Sequence, residues 1–537
     1  MRIKTTFLCL LVAVSFASNL AYAQQLTFSK VLYDSLPNGQ IQANSIVRTA
    51  DNGYIIAGES SGKNGLILKV DSTGNLLWNK TIDNHNANLS PDVILRNIIS
   101  TNDSCYLLVG MAYNATAGHF DACCIKINFE GDTLWSKTIG QSGCDYSAIS
   151  IQQTNDLGFI ITGNVSTSLL PSSLIFATKL NTEGNLQWTT ILTGGNYSNI
   201  GYSVKQAPDG GYVIIGYMED CTSNTYSMNT FLIKLSSNGI LSWAKKYRLV
   251  SMDVSSGNDV IITSNGFLCY LNTGSLNHDS TITLMKTDFS GNVLWSKTYN
   301  EYSGGGGSCS GCVTPKLHKT SDNGYVFVNG AGSGGMTLIT KTDSTGNLIW
   351  VKNLVLNAVD VVESKDKGLF IIDNGCCTQQ WYMPEIGIIK ADSLGNGQNC
   401  VSPGDAISVI DSIICSPATF TSSTGATENT IHPSVNAITI LSHTGCVGVM
   451  GGIHESEFDN SIFVYPNPSN GKYYVKLPQG MNGEINIKVY NLLGEILLNT
   501  KTNNNLCQID LSNQTNGIYM IRVNDNSQSF NQRLIKL

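Results

Sequence analysis

A twelve-residue pattern that returns along most of the chain constrains the fold more than any other feature of this sequence. Its fullest copy, residues 69–80, reads KVDSTGNLLWNK. In seven copies a lysine stands five residues before a glycine, and in the first six copies a tryptophan stands four residues after that glycine. The seven pairs are Lys69/Gly74, Lys126/Gly131, Lys179/Gly184, Lys234/Gly239, Lys286/Gly291, Lys341/Gly346 and Lys390/Gly395, with glycine intervals of 57, 53, 55, 52, 55 and 49 residues. Regular spacing of this length indicates a repeat architecture.

Each unit carries two turn signals. The first is an Asp-x-Gly-aromatic sequence, as in residues 51–54, 156–159, 209–212 and 322–325, and the second is the Asp-Ser-Thr-Gly-Asn element itself. Short apolar runs flank both turns, so each unit is predicted to form four antiparallel strands. Four such strands at this period are typical of a β-propeller blade, and seven units predict a seven-bladed propeller over residues 24–400. A solenoid has a shorter period, and tandem sandwiches need about 100 residues each.

The two ends of the repeat region predict how the ring closes. The seventh unit has Asn399 in place of the tryptophan, and no fourth strand follows it. Near the amino terminus, residues 27–31 read TFSKV, which matches the WSKT that begins at Trp135 and at Trp295. We therefore expect the strand at Phe28 to complete the last blade and to remove two free sheet edges.

Two sets of repeated side chains are predicted to be structural. The tryptophans follow a turn at a fixed blade position, where a large ring fills the space between neighbouring sheets. The lysines two residues after a tryptophan are predicted to be solvated residues on edge strands that block aggregation. These lysines are Lys80, Lys137, Lys245, Lys297 and Lys352.

Composition and the first residues predict an exported protein. Residues 1–23 join a basic start to an apolar run and an Ala-x-Ala site, which predicts a signal peptide. Without Cys9, 14 cysteines remain, and most are expected in disulfides. Only 13% of residues are charged, the net charge is −7, and no basic cluster is present, which excludes nucleic acid as a partner. No transmembrane segment is predicted, and we expect a monomer.

The last part of the chain changes character twice. Residues 401–457 are rich in Ser, Thr and Gly and are predicted to be an extended linker, and residues 458–537 alternate like a small antiparallel β-sandwich. This sandwich carries Tyr465, Pro466, Asn467 and Pro468, then Gly494 in a VYNLLG run, Gly517 and Tyr519 in a GIY run, and Lys536 near the end. These motifs resemble the C-terminal sorting domain (type A) of type IX secretion cargo. The resemblance implies that the type IX machinery is a partner, and that the protein passes through Sec and is then secreted or anchored at the cell surface.

Several motifs have spacings that are also found in cofactor, metal or redox sites. The Asp-x-x-x-Gly-x-x-x-Trp spacing loosely resembles the repeats of pyrroloquinoline-quinone propellers, which often carry a vicinal disulfide, and Cys123-Cys124 and Cys376-Cys377 are vicinal pairs. The strand context of Cys124 favours packing in a sheet. The C-x-x-C at Cys309 and Cys312 has zinc or redox spacing, but a local disulfide, or two bridges to other cysteines, is favoured because no second C-x-x-C exists and the compartment is oxidising. We expect no cofactor, no metal and no catalytic residue.

Closure of the ring also assigns the loops to its two rims. Both tight turns of each blade lie on one rim, called here the turn rim, so the connections of variable length lie on the opposite, variable rim. Binding residues on rigid scaffolds concentrate in such loops, and exposed aromatic side chains supply contact area at low entropic cost. The sequence favours a non-catalytic secreted or surface protein that binds a glycan or an extracellular protein. The alternative is a carbohydrate-active or quinone-dependent enzyme, which requires acidic and basic side chains to converge over the central channel. The candidate ligand-binding residues are Tyr113, Tyr217, Tyr226, Tyr302, Trp381 and Tyr382.

Overall fold

A computed structural model of the chain describes an all-β fold, and no helix is present among the residues that it describes. Contacts divide the chain into two units, residues 1–449 and residues 450–537. The described residues are 27–536 without the segments 35–38, 61–63, 84–92, 168–172, 195–196, 223–224, 250–253, 275–279, 301–315, 330–336, 355–357, 375–384, 398–400, 404–406, 411–412, 418–420, 425–426, 431–433, 437–439, 445–462, 466–468, 477–484, 492–494, 503–505 and 525–528. The predicted signal peptide lies outside this part of the chain.

The first unit is a seven-bladed β-propeller, which confirms the predicted fold class. Strand β1 (Phe28–Asp34) precedes six blades of four consecutive antiparallel strands. Blade 1 contains β2 (Ile41–Arg48), β3 (Tyr54–Ser60), β4 (Gly65–Val70) and β5 (Leu76–Asp83); blade 2 contains β6 (Val93–Ser100), β7 (Tyr106–Asn114), β8 (His119–Ile127) and β9 (Thr133–Gly140); blade 3 contains β10 (Cys144–Gln153), β11 (Phe159–Thr167), β12 (Leu174–Leu180) and β13 (Leu186–Thr193). Blade 4 contains β14 (Asn199–Gln206), β15 (Tyr212–Thr222), β16 (Thr225–Leu235) and β17 (Leu241–Leu249); blade 5 contains β18 (Val254–Thr263), β19 (Gly266–Gly274), β20 (Ser280–Thr287) and β21 (Val293–Asn300); blade 6 contains β22 (Leu317–Lys319), β23 (Tyr325–Asn329), β24 (Thr337–Thr342) and β25 (Leu348–Leu354).

Blade 7 is built from both ends of the propeller. Its chain-consecutive strands are β26 (Ala358–Glu363), β27 (Leu369–Asn374) and β28 (Ile386–Ala391), and β1 pairs antiparallel with β28 as the fourth strand. Phe28 packs edge-on against Phe370, with 6.1 Å between ring centroids. The expected closure by the strand at Phe28 is confirmed.

The repeated tryptophans dock each blade onto the next. A Cβ atom added to the turn glycine of a blade would lie within 3 Å of the aromatic ring contributed by the preceding blade, so only glycine leaves room for the ring. Gly74 also has a φ of 75°, a conformation that favours glycine. The contacts run completely around the ring: Phe28 on Gly74, Trp78 on Gly131, Trp135 on Gly184, Trp188 on Gly239, Trp243 on Gly291, Trp295 on Gly346 and Trp350 on Gly395.

Inside each blade, the repeated lysine contacts the turn between the first two strands. The lysine at the end of the third strand is buried and binds the turn aspartate that joins the first two strands. Blade 5 has Asn265 in the turn, and there Lys286 binds the hydroxyl of Thr263 at 2.5 Å. The six ion pairs are Lys69–Asp51 (2.8 Å), Lys126–Asp103 (2.5 Å), Lys179–Asp156 (2.9 Å), Lys234–Asp209 (2.8 Å), Lys341–Asp322 (2.8 Å) and Lys390–Asp366 (2.9 Å).

The lysines that follow the tryptophans differ from the prediction. They bind the turn of the next blade instead of standing free on an edge strand: Lys80 binds Asp132 at 2.6 Å, and Lys245 binds Asn292 at 2.7 Å. Lys137, Lys297 and Lys352 make the equivalent contacts to Asn185, Asn347 and Asn396. The fourth strand of each blade is also not an edge, because a fifth strand pairs with it.

The described strands within residues 401–444 form a belt around the propeller, where a linker was expected. Seven short strands of this segment add a fifth, antiparallel strand to each blade in turn, running backwards from blade 6 to blade 1 and ending beside β1 in blade 7. They are β29 (Val401–Pro403), β30 (Ile407–Ile410), β31 (Ile413–Pro417), β32 (Thr421–Thr424), β33 (Thr427–Thr430), β34 (Ser434–Asn436) and β35 (Ile440–Thr444). The free hydrogen-bonding edge of every fourth strand explains why this polar segment is ordered into strands.

The second unit is a small sandwich of two sheets. A three-stranded sheet contains β36 (Phe463–Tyr465), β37 (Lys472–Lys476) and β40 (Leu506–Asp510). A four-stranded sheet contains β38 (Ile485–Tyr490), β39 (Ile496–Thr502), β41 (Gly517–Asn524) and β42 (Ser529–Lys536). Alternate residues of both sheets share one buried core, which includes Tyr473, Val489 and Ile521. This is the small antiparallel sandwich predicted for the end of the chain.

The cysteines differ from the disulfide expectation wherever their side chains are described. Six are free thiols: Cys105, Cys123, Cys124, Cys144, Cys269 and Cys507. Cys123 and Cys124 are consecutive strand residues, so their side chains point to opposite faces and join different cores. Burial raises the pKa of Cys123 to about 12. The pairs at 309/312 and 376/377 lie outside the described residues.

Candidate ligand site in the central channel

The inner strand of each blade has an irregularity that directs polar side chains into the central channel. A register shift breaks the pairing of the first two strands at the same place in six blades, as between Ala43 and Ser45 in blade 1. Such a bulge re-aims side chains and is frequent near binding sites. The residues at this position, called here the channel ring, are Ser45, Asn97, Ser150, Ser203, Asp259, Lys316 and Asp360.

Hydrogen bonds join each blade to the next through the channel ring. Every ring position contributes to at least one such link, either from its side chain or from the adjacent backbone. The links are Ile98 N to Ser45 Oγ (3.4 Å), Asn97 Nδ2 to Ile149 O (3.4 Å), Val204 N to Ser150 Oγ (3.3 Å), Ser203 Oγ to Asp259 Oδ1 (2.6 Å), Leu317 N to Asp259 Oδ2 (3.0 Å), Lys316 Nζ to Asp360 Oδ2 (3.2 Å) and Ile46 N to Asp360 Oδ2 (3.2 Å). The channel wall is therefore held in place by hydrogen bonds within the protein.

Asp360 is the most strongly bound carboxylate of the ring. Its side chain is fully buried and accepts hydrogen bonds from Lys316 and from the ring Nε2 of His318, at 2.8 Å from the latter. Burial alone would raise the pKa of Asp360, but Lys316 and His318 outweigh it and hold the pKa at about 2. Lys316 also donates to Ser45 Oγ at 2.5 Å. Asp360 is therefore ionised and fully engaged at neutral pH.

A cavity of about 310 Å³ occupies the channel, near the lower limit of typical ligand pockets. Its walls are the channel ring, the preceding bulge residues Ile149, Tyr202 and Asn258, and residues further along the inner strands. Two of the latter, Arg48 and Lys205, are basic. Partly buried aliphatic side chains alternate with these polar groups, so the wall offers both apolar contact and hydrogen bonds.

Two tyrosines stand on the variable-rim side of the channel ring. Tyr202 in β14 and Tyr217 in β15 pack against each other, with ring centroids 5.7 Å apart. Burial is the main cause that raises the pKa of both hydroxyls, so both are protonated near neutral pH. Tyr217 was a predicted ligand-binding residue; it packs against Tyr202, which lines the cavity, but does not line the cavity itself, so its role stays a prediction.

The other predicted aromatic residues are distributed differently. Tyr113 lies in β7 of blade 2 and packs edge-on against Phe120 at 5.2 Å, apart from the blade that holds Tyr217. Tyr226 lies in β16, and its side chain is not among those described. Tyr302, Trp381 and Tyr382 lie outside the described residues. Their role as ligand contacts stays a prediction.

Blade 7 contains another buried carboxylate, Asp373, on its second strand. In blades 1 to 4 this position is glycine, and the paired residue on the third strand is larger: Gly58 faces Leu66 and Gly163 faces Phe176. Blade 7 reverses the sizes, because Asp373 faces Gly387, where a Cβ would lie 1.9 Å from the carboxylate. Neither oxygen of Asp373 has a hydrogen-bond partner among the residues that the structure describes, and burial, with a contribution from Glu385, raises the pKa of Asp373 to about 8.

Sequence reasoning missed the channel ring because its members share no chemistry. A positional signal does exist. In six blades the ring residue stands nine positions before the residue that opens the second strand, as Ser45 does before Tyr54; in blade 5, Asp259 stands eight before Phe267. No group of three or more metal-ligating side chains is found among the described residues. Within the same residues, no helix is long and apolar enough to span a membrane.

A family model described as "Secretion system C-terminal sorting domain" matches residues 463–537. The second unit is therefore a sorting domain, which implies export by the type IX system to the medium or the cell surface. The match contains all the predicted sorting residues. Of these, Tyr519 donates its hydroxyl to the backbone oxygen of Thr515, and buried Lys536 donates to the oxygen of Gln514 at 2.7 Å. Gly517 and the backbone of Tyr465 are described, whereas Pro466, Asn467, Pro468 and Gly494 lie outside the described residues.

Comparison with curated proteins finds no match to the chain. Among solved structures, the chain is similar to a Bacteroides caccae protein of unknown function, with 12% identity, a TM-score of 0.34, and coverage of 56% of this chain and 93% of that one. It is also similar to the extracellular domain of a one-component system from B. thetaiotaomicron, with 10% identity, a TM-score of 0.34, and coverage of 93% of this chain and 57% of that one.

Proposed function

We propose that the chain is a non-catalytic binding protein of the cell surface or the medium, and that its central channel holds a ligand that enters from the variable rim. The ligand class is a glycan or a segment of an extracellular protein. One observation carries this proposal. The residue type varies among the seven equivalent channel-ring positions, whereas the repeat keeps its tryptophan and lysine positions. Divergent polar residues on a rigid frame are what selective recognition requires.

The bonding state of the ring favours binding over proton transfer. A general acid or base needs a pKa near the working pH. Asp360 is held far below that range by Lys316 and His318. Asp259 accepts hydrogen bonds from the Ser203 hydroxyl and from two backbone amides, those of Val260 and Leu317. Groups engaged in this way fix the shape and polarity of the wall.

The test is an array of extracellular glycans and matrix proteins, probed with the full mature chain. Binding that is lost on Tyr202→Ala supports the proposal, because Tyr202 lines the cavity. The matched control is Tyr33→Ala in β1, on the outer side of blade 7 between β28 and β35. Binding by the Tyr202 variant equal to that of the parent protein would move the ligand away from the channel. No binding to any glycan or matrix protein would contradict the proposal as a whole.

A second candidate function, a secreted enzyme, is favoured by the convergence of acid and base in the channel. His318 is partly exposed, stands 2.8 Å from Asp360, and lines the cavity together with Lys316 and Ser45. A histidine oriented by an aspartate is a common general base. This candidate predicts turnover of a bound glycan or ester that disappears in His318→Ala. Intact ligand recovered after prolonged incubation would eliminate it.

A further inference from the structure

Beyond the channel ring, a second ring of side chains faces the channel. These residues, called here the collar, stand two positions after each channel-ring residue, so strand alternation directs both sets to the same side. They are Val47, Ile99, Gln152, Lys205, Ile261, His318 and Val362. Four of the seven are aliphatic and partly buried, and all except Gln152 and Ile261 line the cavity. The collar is therefore a largely apolar wall that also contains two basic residues.

The two basic residues of the collar, Lys205 and His318, differ in their partners. His318 of blade 6 reaches the carboxylate of the next blade, with 2.8 Å between its Nε2 and Asp360 Oδ1. The equivalent carboxylate for Lys205 of blade 4 is Asp259 of blade 5. Among the described residues, however, Lys205 makes no ion pair and no side-chain hydrogen bond. A partly buried ammonium group with three donors and no acceptor from the protein is available to a ligand.

The carboxylates of the cavity wall are already occupied by donors of the protein. Both oxygens of Asp259 and both oxygens of Asp360 accept hydrogen bonds from side chains or backbone amides. The donors are the Ser203 hydroxyl and the amides of Val260 and Leu317 for Asp259, and Lys316, His318 and the amides of Ile46 and Val361 for Asp360. These carboxylates therefore neither neutralise Lys205 nor have much capacity to accept hydrogen bonds from a ligand.

The charge of the cavity wall favours an anion. Three cationic side chains and two carboxylates line the cavity, although the whole chain has a net charge of −7. The third cation besides Lys205 and Lys316 is Arg48, which is exposed and donates through Nη1 to the backbone oxygen of Glu363 at 3.3 Å. Within the described part of the chain this is its one side-chain hydrogen bond. A wall with excess positive charge and unused N–H donors attracts a ligand that carries acceptors and negative charge.

We propose that the channel binds the free C-terminal carboxylate of an extracellular peptide or protein whose last residues are apolar, with Lys205 as the group that binds the carboxylate; this inference rests on the proposed binding function. An ammonium group and a carboxylate form a charge-assisted hydrogen bond, and capture of a chain terminus is an established mode of peptide recognition. The aliphatic residues Val47, Ile99 and Val362 suit apolar side chains of the ligand.

The shape of the cavity also favours a chain terminus. The cavity of about 310 Å³ lies inside a channel that is enclosed by the inner strands of the blades. A chain end can enter such a channel along its axis, whereas a loop would have to bring two strands in side by side. Tyr202 supplies the one large aromatic ring of the described lining, so the wall offers little ring surface on which a sugar could stack.

The experiment is fluorescence anisotropy of three labelled peptides titrated with the full mature chain. The first peptide ends in alanine, isoleucine and valine with a free carboxylate, the second has the same sequence with a C-terminal amide, and the third ends in three glycines with a free carboxylate. We expect the acid to bind about 10- to 100-fold more tightly than the amide, the range of a charged hydrogen bond. The glycine peptide should bind about 10-fold or more weakly than the first, because it buries no apolar side chain.

Variants of the collar assign this preference to Lys205. Lys205→Gln should erase the preference for acid over amide, and Lys205→Arg should restore most of it, because a guanidinium also binds a carboxylate. Both variants are expected to fold, since Lys205 has no partner to lose among the described residues, and an unchanged melting temperature checks this. The matched control is Lys319→Gln, which removes an exposed lysine of β22 that does not line the cavity and should keep the preference.

The outcomes separate this inference from the proposed function. Equal affinity for acid and amide, or a preference that survives Lys205→Gln, would overturn the carboxylate subsite. Binding of none of the three peptides would also overturn it. A glycan found on the array, with its binding lost on Tyr202→Ala, would then keep the proposed function and identify a sugar as the occupant. Absence of binding to the peptides and to the whole array would contradict both.

Discussion

The turn rim and the channel of this propeller are built from the same seven repeats, but they use repetition in opposite ways. On the turn rim each blade offers the same buried lysine, the same turn glycine and an aromatic ring from its neighbour. In the channel, equivalent positions hold serine, asparagine, aspartate or lysine. The contacts that are the same in every blade close the ring, whereas the side chains that differ between blades determine the polarity of the channel. Positions that keep the same residue in every blade therefore build the scaffold. Positions at which the residue differs between blades are the place to search for a ligand site.

Blade 7 is where the frame is most vulnerable, because it depends on the first residues of the propeller. Deleting residues 24–34 removes β1, which pairs with β28 on one side and with the belt strand β35 on the other. We expect the largest effect of any change considered, with loss of cooperative unfolding, since two sheet edges and the pocket of Phe28 become exposed. Thermal unfolding followed by circular dichroism measures it. Deletion of residues 24–26 alone is the control, and an unchanged melting temperature in the longer deletion would refute the closure.

The second prediction compares one carboxylate of the channel with one of the turn rim. Asp360→Asn removes the negative charge that pairs with Lys316 and replaces one of the two acceptor oxygens by a donor in a buried site, and we expect a loss of about 3–5 kcal/mol in the free energy of unfolding. Asp322→Asn also breaks a pair with a buried lysine, but Asp322 is more than half exposed, so water reduces the cost to about 1 kcal/mol. Urea unfolding at pH 7 measures both. Equal losses would mean that the channel ring is no more integral to the fold than the rim pairs.

The contribution of Asp360 to the free energy of unfolding is expected to decrease at acidic pH. The pKa of Asp360 is about 2 in the folded protein, below its ordinary value, so the folded state favours the ionised form. Its contribution is complete above about pH 4 and decreases as the pH falls towards 2. The difference in stability between the parent protein and Asp360→Asn should shrink over that interval. A difference that stays constant down to pH 2 would contradict the assignment.

The contribution of Asp373 to the free energy of unfolding is predicted to decrease as the pH rises. Burial, together with Glu385, raises its folded pKa to about 8, so the folded state favours the protonated form. Its contribution is complete below about pH 4, and above that it decreases by about 1.4 kcal/mol per pH unit until pH 8. Asp373→Asn mimics the neutral carboxyl and should remove this slope. Unfolding free energies at pH 6, 7 and 8 test it, and parallel curves for the two proteins would show that Asp373 does not titrate there.

The propeller architecture could be predicted from the sequence because the residues that build it recur at regular intervals. The turns, the tryptophan contacts and the closure by Phe28 all follow from counting intervals and noticing one imperfect copy. The belt was not predicted, because its strands are three to five residues long and begin every six to eight residues. That spacing is the distance around the perimeter from one blade edge to the next, about 20–26 Å of extended chain, and it produces no pattern of hydrophobic alternation. The channel ring escaped notice because a bulge and a change of residue type hide its common position.

The smallest predicted effect separates the two kinds of lysine on the turn rim. Lys341 is buried inside its blade, whereas Lys352 reaches across the surface to Asn396 of the next blade at 3.0 Å. Lys352→Gln should cost about 0.5 kcal/mol or less, because an exposed polar contact exchanges with water at little net gain. Lys341→Gln should cost several times more, since it leaves Asp322 and Thr320 without their shared donor in a partly dry site. Both changes are measured by urea unfolding. Comparable losses would mean that contacts between blades contribute as much as contacts within them, and that docking at the turn rim depends on the lysines as well as on the tryptophans.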